Sequence, residues 1–184
     1  GLVTFGDVVL SVYRSDDTLT EDAGQFKDWV SVLSAKGGDG DPENTYGALK
    51  RALQMQFRNE AQKIFILITD APAHVYGDAP DGGQSFDDPD LALEQISDLL
   101  KEKSASVYAV TPSFPDFVSL ADVTGGRFYD LDNNPDFTGI LEEISETIAS
   151  QYRITYRSPR PTFDGTRRNV QIKIGQSDAS TEYH

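Results

Sequence analysis

Two carboxylates in this chain stand where a protein can do chemistry with a hard cation. Asp70 lies two residues past an unbroken apolar run, Ile64-Phe65-Ile66-Leu67-Ile68, within Ile68-Thr69-Asp70-Ala71-Pro72. A short apolar run bounded by polar residues reads as a strand buried on both faces. In open α/β sheets, ligands collect beyond the carboxyl ends of such strands. A carboxylate buried there is costly unless a cation or hydrogen-bond donors neutralise it. Glu43 follows a glycine- and acid-rich loop, Gly37-Gly38-Asp39-Gly40-Asp41-Pro42, and opens a helical segment. A carboxylate at a helix start is favoured by the helix dipole even with no function. Carboxylates on two such loops are also what Mg²⁺, Mn²⁺ or Ca²⁺ requires. Capping and solvation explain the same two residues without a metal, and the residues by themselves leave both readings open.

The elements that must position these groups follow from periodicity. Residues 2–5 and 8–13 are apolar, β-branched runs around Gly6-Asp7 and read as a hairpin. In 21–33, Phe26, Trp29, Val30 and Leu33 make one face of an amphipathic helix, and 44–57 is helical with Ala48, Leu49, Ala52 and Leu53 near one stripe. The run 64–68 is a central strand, and a charge placed at Ile66 is expected to unfold the domain. A long Pro- and Gly-rich loop over 69–89 follows. Helix 90–101, strand 107–110, helix 116–123, strand 127–131 and helix 137–152 come next. Such alternation predicts an α/β, Rossmann-like, open and mostly parallel sheet with helices on both faces. Residues 152–156 and 169–174 alternate at period two and read as an antiparallel pair. The expected organisation is therefore an α/β domain over 1–150, a β-hairpin extension over 151–175, and a polar, frayed tail over 176–184.

Composition narrows the function classes. The chain has 184 residues, a size that suits one ordinary domain, and 38% are hydrophobic, which excludes wholesale disorder. Thirty acidic against sixteen basic residues give a net charge of −14. A surface this negative repels phosphate backbones and anionic lipid, so neither nucleic acid nor a membrane surface is an expected partner. The absence of cysteine excludes disulfides and thiolate chemistry, and two histidines leave little for a zinc site or a histidine-based triad. No apolar stretch approaches the roughly 20 residues of a membrane span. Gly1 opens directly into strand-like sequence, so no leader peptide is expected.

Several ordered segments resemble the von Willebrand factor A domain family. Gly1-Leu2-Val3-Thr4-Phe5-Gly6-Asp7 resembles its second strand. The stretch Gly37-Gly38-Asp39-Gly40-Asp41-Pro42-Glu43-Asn44-Thr45 resembles the loop before its third helix. Ile64-Phe65-Ile66-Leu67-Ile68-Thr69-Asp70-Ala71-Pro72-Ala73-His74 resembles its fourth strand and the turn that follows. Residues 107–112 and 125–131 resemble the fifth and sixth strands. The resemblance implies a metal-ion-dependent adhesion site at the carboxyl end of the sheet, with Glu43 and Asp70 as ligands to Mg²⁺ or Ca²⁺ and a partner carboxylate completing the shell. It makes Asp39 and Asp41 candidates for groups behind the ligands or at an auxiliary metal, in a loop shifted by one residue from the usual spacing. Thr45 becomes a candidate outer hydroxyl.

The Asp-x-Ser-x-Ser run that supplies this family's remaining ligands is absent from its expected place. Asp16-Asp17-Thr18-Leu19-Thr20 stands too close to Glu43 to serve, and Asp178-Ala179-Ser180 is separated from its strand by Gly175-Gln176-Ser177. The expectation is a truncated or cleaved chain whose first strand lies on another segment or polypeptide.

His74 reads either as a ligand contact beside the metal or as a loop histidine bonded to main chain. Tyr76, with Phe86 and Asp87-Asp88, belongs to a long loop near the same face and is a candidate partner contact. Three functions follow in order of expectation: a cation-dependent protein-binding or adhesion module, a metal-free scaffold or assembly domain, and a hydrolase using Asp70 and His74. No nucleophile with base and orienter stands at a recognisable spacing, so no enzyme is expected. Acidity and the resemblance together place the protein outside the cytoplasm, at the cell surface, secreted or periplasmic.

Overall fold

A computed structural model describes residues 1–7, 9–13, 19–34, 42–59, 61–74, 91–150, 168–174 and 177–183. Two compact units divide the chain, Gly1–Thr147 and Ile148–His184.

The first unit opens with the expected hairpin. Strands β1 (Leu2–Phe5) and β2 (Val9–Tyr13) pair antiparallel from Leu2↔Tyr13, with a register shift between Thr4 and Phe5. Helix α1 (Ala23–Ser31) is capped by Asp22, whose carboxylate accepts from the N–H groups of Gly24 (2.7 Å) and Gln25 (3.2 Å). None of its residues is buried, and Phe26 and Val30 are exposed together with Leu33 just beyond it. Its expected apolar face is therefore real but uncovered among the described residues. Helix α2 (Thr45–Leu53) is capped by Asn44, whose side chain accepts from the Gly47 N–H at 3.0 Å.

Strands β3 (Lys63–Ile68), β4 (Ala105–Thr111) and β5 (Arg127–Asp130) form a parallel sheet in the order β3-β4-β5, with Ile66 opposite Tyr108 and Val110 opposite Tyr129. Helices α3 (Leu93–Glu102), α4 (Pro115–Val123) and α5 (Phe137–Ala149) follow β3, β4 and β5 in the chain. One face of the sheet meets α2, α3 and α4: Leu67, Val107 and Ala109 share a core with Tyr46, Leu49, Ile96, Leu100, Phe117 and Leu120. On the other face Arg127 of β5 meets Glu143 of α5. Helix α4 ends where Gly125 takes φ +69°, with the N–H groups of Gly125 and Gly126 donating to the carbonyls of Asp122 and Ala121. This Schellman closure needs a residue that tolerates the left-handed region.

Two expectations give way here. The run 64–68 is not buried on both faces: Leu67 is 4% exposed, but Ile66 and Ile68 are 44% and 48% exposed. At β3 the second face has no cover among the described residues. In the second unit, β6 (Arg168–Ile174) pairs antiparallel with β7 (Ser177–Tyr183), from Arg168↔Tyr183 to Ile174↔Ser177. A polar tail was expected over 176–184, and residues 177–183 are instead a strand. Residues 152–156, the expected antiparallel partner of 169–174, lie outside the described residues.

Candidate functional site

The carboxyl end of β3 and the residues that open α2 come together as a short parallel ladder. The Glu43 N–H donates to the Pro72 carbonyl (2.9 Å), the His74 N–H donates to the Glu43 carbonyl (2.7 Å), and Glu43 bridges to Ala73. The next residue ties in the hairpin, since the Asn44 N–H donates to the Gly6 carbonyl at 2.8 Å. Main-chain hydrogen bonds thus fix Glu43 beside the turn that carries Asp70. The Thr69 hydroxyl accepts from the Ala71 N–H (3.2 Å) and holds the turn, and its one proton is shared between Glu43 Oε2 (3.3 Å) and the Ala71 carbonyl (3.4 Å), which ties the carboxylate to the turn.

Asp70 sits in this turn, exposed to solvent. The burial argument that gave it a cation does not hold, because water itself solvates the carboxylate. Thr45 is fully buried, and its Oγ1 has no hydrogen-bond partner among the described residues. A buried hydroxyl in that state is rare and marks a place where a polar partner fits. His74 is 3% exposed. Its ring is packed into the fold rather than held out toward a partner. Asp39, Asp41 and Tyr76 lie outside the described residues.

Glu43, Asp70, Thr45 and Thr69 are all oxygen donors, the kind that Mg²⁺ and Ca²⁺ take. In number they fall short of an all-protein cage: among the described residues no three His, Cys, Asp or Glu side chains gather closely enough to hold a metal ion. Mg²⁺ commonly binds through one or two carboxylates while keeping several waters, so the donor set fits such an ion in kind.

Sequence reading missed two contributors. Thr69 precedes Asp70 and carries no motif of its own, so its contact with Glu43 becomes visible only once β3 and α2 are juxtaposed. Tyr46 was legible only as an aromatic in the first turn of α2. Its hydroxyl donates to Asp116 Oδ2 at 3.0 Å, and the residue is 1% exposed. Burial and the Asp116 carboxylate both push the Tyr46 hydroxyl pKa well up, so the phenol stays protonated and remains a donor. Asp116 by sequence is simply a helix first-turn acid.

Among the described residues no helix is long and apolar enough to cross a membrane. Compared with known proteins, the sequence model of the von Willebrand factor A domain matches residues 2–80, which include β1, Glu43, Asp70 and His74. No curated protein matches. A crystal structure of an uncharacterized membrane-spanning protein from Vibrio fischeri is similar at 21% identity over 82% of this chain and 74% of that one. Its TM-score of 0.29 is too low to carry an argument. Over residues 2–80, within an α/β fold built on an open parallel sheet, the chain is therefore similar in sequence to a von Willebrand factor A domain.

Proposed function

We propose that this chain is a protein-interaction module whose binding face is the carboxyl end of β3, and that a divalent cation, Mg²⁺ or Ca²⁺ with Mn²⁺ as a substitute, links it to a carboxylate of the partner. Von Willebrand factor A domains generally mediate protein–protein contacts, which supports the coarse part of the reading. The observation that carries the finer part is the ladder that sets Glu43, oriented by Thr69, beside the turn bearing Asp70. Glu43 and Asp70 are the residues that would hold the cation, with the Thr45 hydroxyl behind them. When bound, such an ion supplies a positive centre in an acidic surface and lets an anionic partner approach a chain of charge −14. The chain's own residues do the rest. Main-chain hydrogen bonds place Glu43, and Thr69 fixes which way its carboxylate faces.

The reading is one of binding, outside the cytoplasm, with no reaction assigned. It also gives β3 a role in assembly. Among the described residues β3 pairs only with β4, and Ile66 and Ile68, on the face opposite Leu67, are exposed. An open apolar edge is a template for another strand, which another segment or a second chain would supply. A metal-free scaffold is the second reading, favoured by the lack of three clustered ligating side chains among the described residues.

Free Mn²⁺ followed by electron paramagnetic resonance separates the two. The parent is expected to take up Mn²⁺ at one saturable site. The double variant Glu43→Ala, Asp70→Ala is expected to lose at least tenfold in affinity while keeping its far-ultraviolet circular dichroism. Equal uptake by both proteins places the ion elsewhere, and uptake by neither favours the scaffold.

A further inference from the structure

We infer that Tyr46 and Asp116 are positioning residues for the Glu43 face, their hydrogen bond setting where Glu43 stands at the end of β3. The inference rests on the binding reading above and concerns residues that reading does not use. The segment Glu43-Asn44-Thr45 is anchored at two places by main chain, to Pro72 and His74 after β3 and to Gly6 after β1. The Tyr46 hydroxyl supplies a further, side-chain tie by reaching 70 positions along the chain to the first turn of α4. Tyr46 is three residues past Glu43, in the rigid first turn of α2, so rotation of that turn moves Glu43 with it. The link is buried at the tyrosine end and its acceptor is a carboxylate, the pairing that makes a hydrogen bond strong. Asp116 also stands in the first turn of α4, where the helix dipole favours its charge.

The test uses Tyr46→Phe, which keeps the ring and removes only the hydroxyl, with Asp116→Asn as the variant that keeps an acceptor and Asp116→Ala as the one that does not. Amide hydrogen exchange in metal-free protein reads the position directly. In Tyr46→Phe and Asp116→Ala the amides of Glu43, Asn44 and His74 are expected to exchange about tenfold faster, while that of Val110 in β4 stays unchanged. Asp116→Asn is expected to restore most of the protection. Calorimetric Mg²⁺ affinity, taken well below each melting temperature, is expected to fall about fivefold in the same two variants. A merely structural bond would lower the melting temperature and move neither quantity. Parent-like exchange at those three amides in Tyr46→Phe overturns the inference, as does unchanged Mg²⁺ affinity against a parent that binds. A parent that takes up no Mg²⁺ defeats the binding reading instead, and the exchange data then decide the positioning role alone.

Discussion

Strands β3 and β4 lie side by side in one sheet and exchange what their sequences promise. Lys-Ile-Phe-Ile-Leu-Ile of β3 is the more apolar and contains the longest hydrophobic run in the chain, yet Ile66 and Ile68 are nearly half exposed. Ala-Ser-Val-Tyr-Ala-Val-Thr of β4 is the milder sequence, and Val107, Tyr108, Ala109, Val110 and Thr111 are all essentially inaccessible. Position decides this. Strand β4 has neighbours on both edges, and its residues on both faces are buried. Among the described residues strand β3 pairs with β4 alone, and of its side chains Phe65 and Leu67 face the core.

The contrast can be broken most severely at β4. Val110→Asp buries an unpaired carboxylate in a fully enclosed position and should cost about 4–5 kcal/mol or more, leaving no cooperative melting transition by circular dichroism. Gly126→Ala comes next. Its new Cβ would run into the Val107 main-chain carbonyl, a rigid neighbour, so β4 or the end of α4 must shift at about 3 kcal/mol, read as a lower urea midpoint. Ile66→Asp is the sharpest comparison. A strand covered on both faces would not survive it, but the half-exposed Ile66 should tolerate it at about 1 kcal/mol, with melting retained. Loss of the fold in Ile66→Asp would mean that this face of β3 is covered in solution by a segment or chain beyond the described residues.

These strands also show what could be read from the sequence. The 3.6-residue period placed α2, α3, α4 and α5 to within a few residues, because their inward stripes meet the sheet. Glu43 and Asp70 were legible because their types and their places at element ends both carry information. The exposure of Ile66 was not, since an apolar run records only what its residues tolerate and says nothing of which neighbours arrive. Strand β7 was hidden for a related reason. Ser177-Asp178-Ala179-Ser180-Thr181-Glu182-Tyr183 has no apolar alternation, and its strand character comes from the register with β6. Helix α1 differs in the opposite direction, its apolar stripe present and exposed among the described residues. The Tyr46–Asp116 bond joins distant positions whose types are ordinary one at a time.

The claim on which the functional account turns is that the carboxyl end of β3 takes a hard divalent cation. Calorimetric titration of Mg²⁺ into chelator-stripped protein, with the oligomeric mass recorded alongside, tests it most directly. The account predicts saturable binding at a single site per chain, abolished by replacing Glu43 and Asp70 together. A flat titration for Mg²⁺, repeated with Ca²⁺ and Mn²⁺, would contradict it and leave the face as a metal-free docking surface.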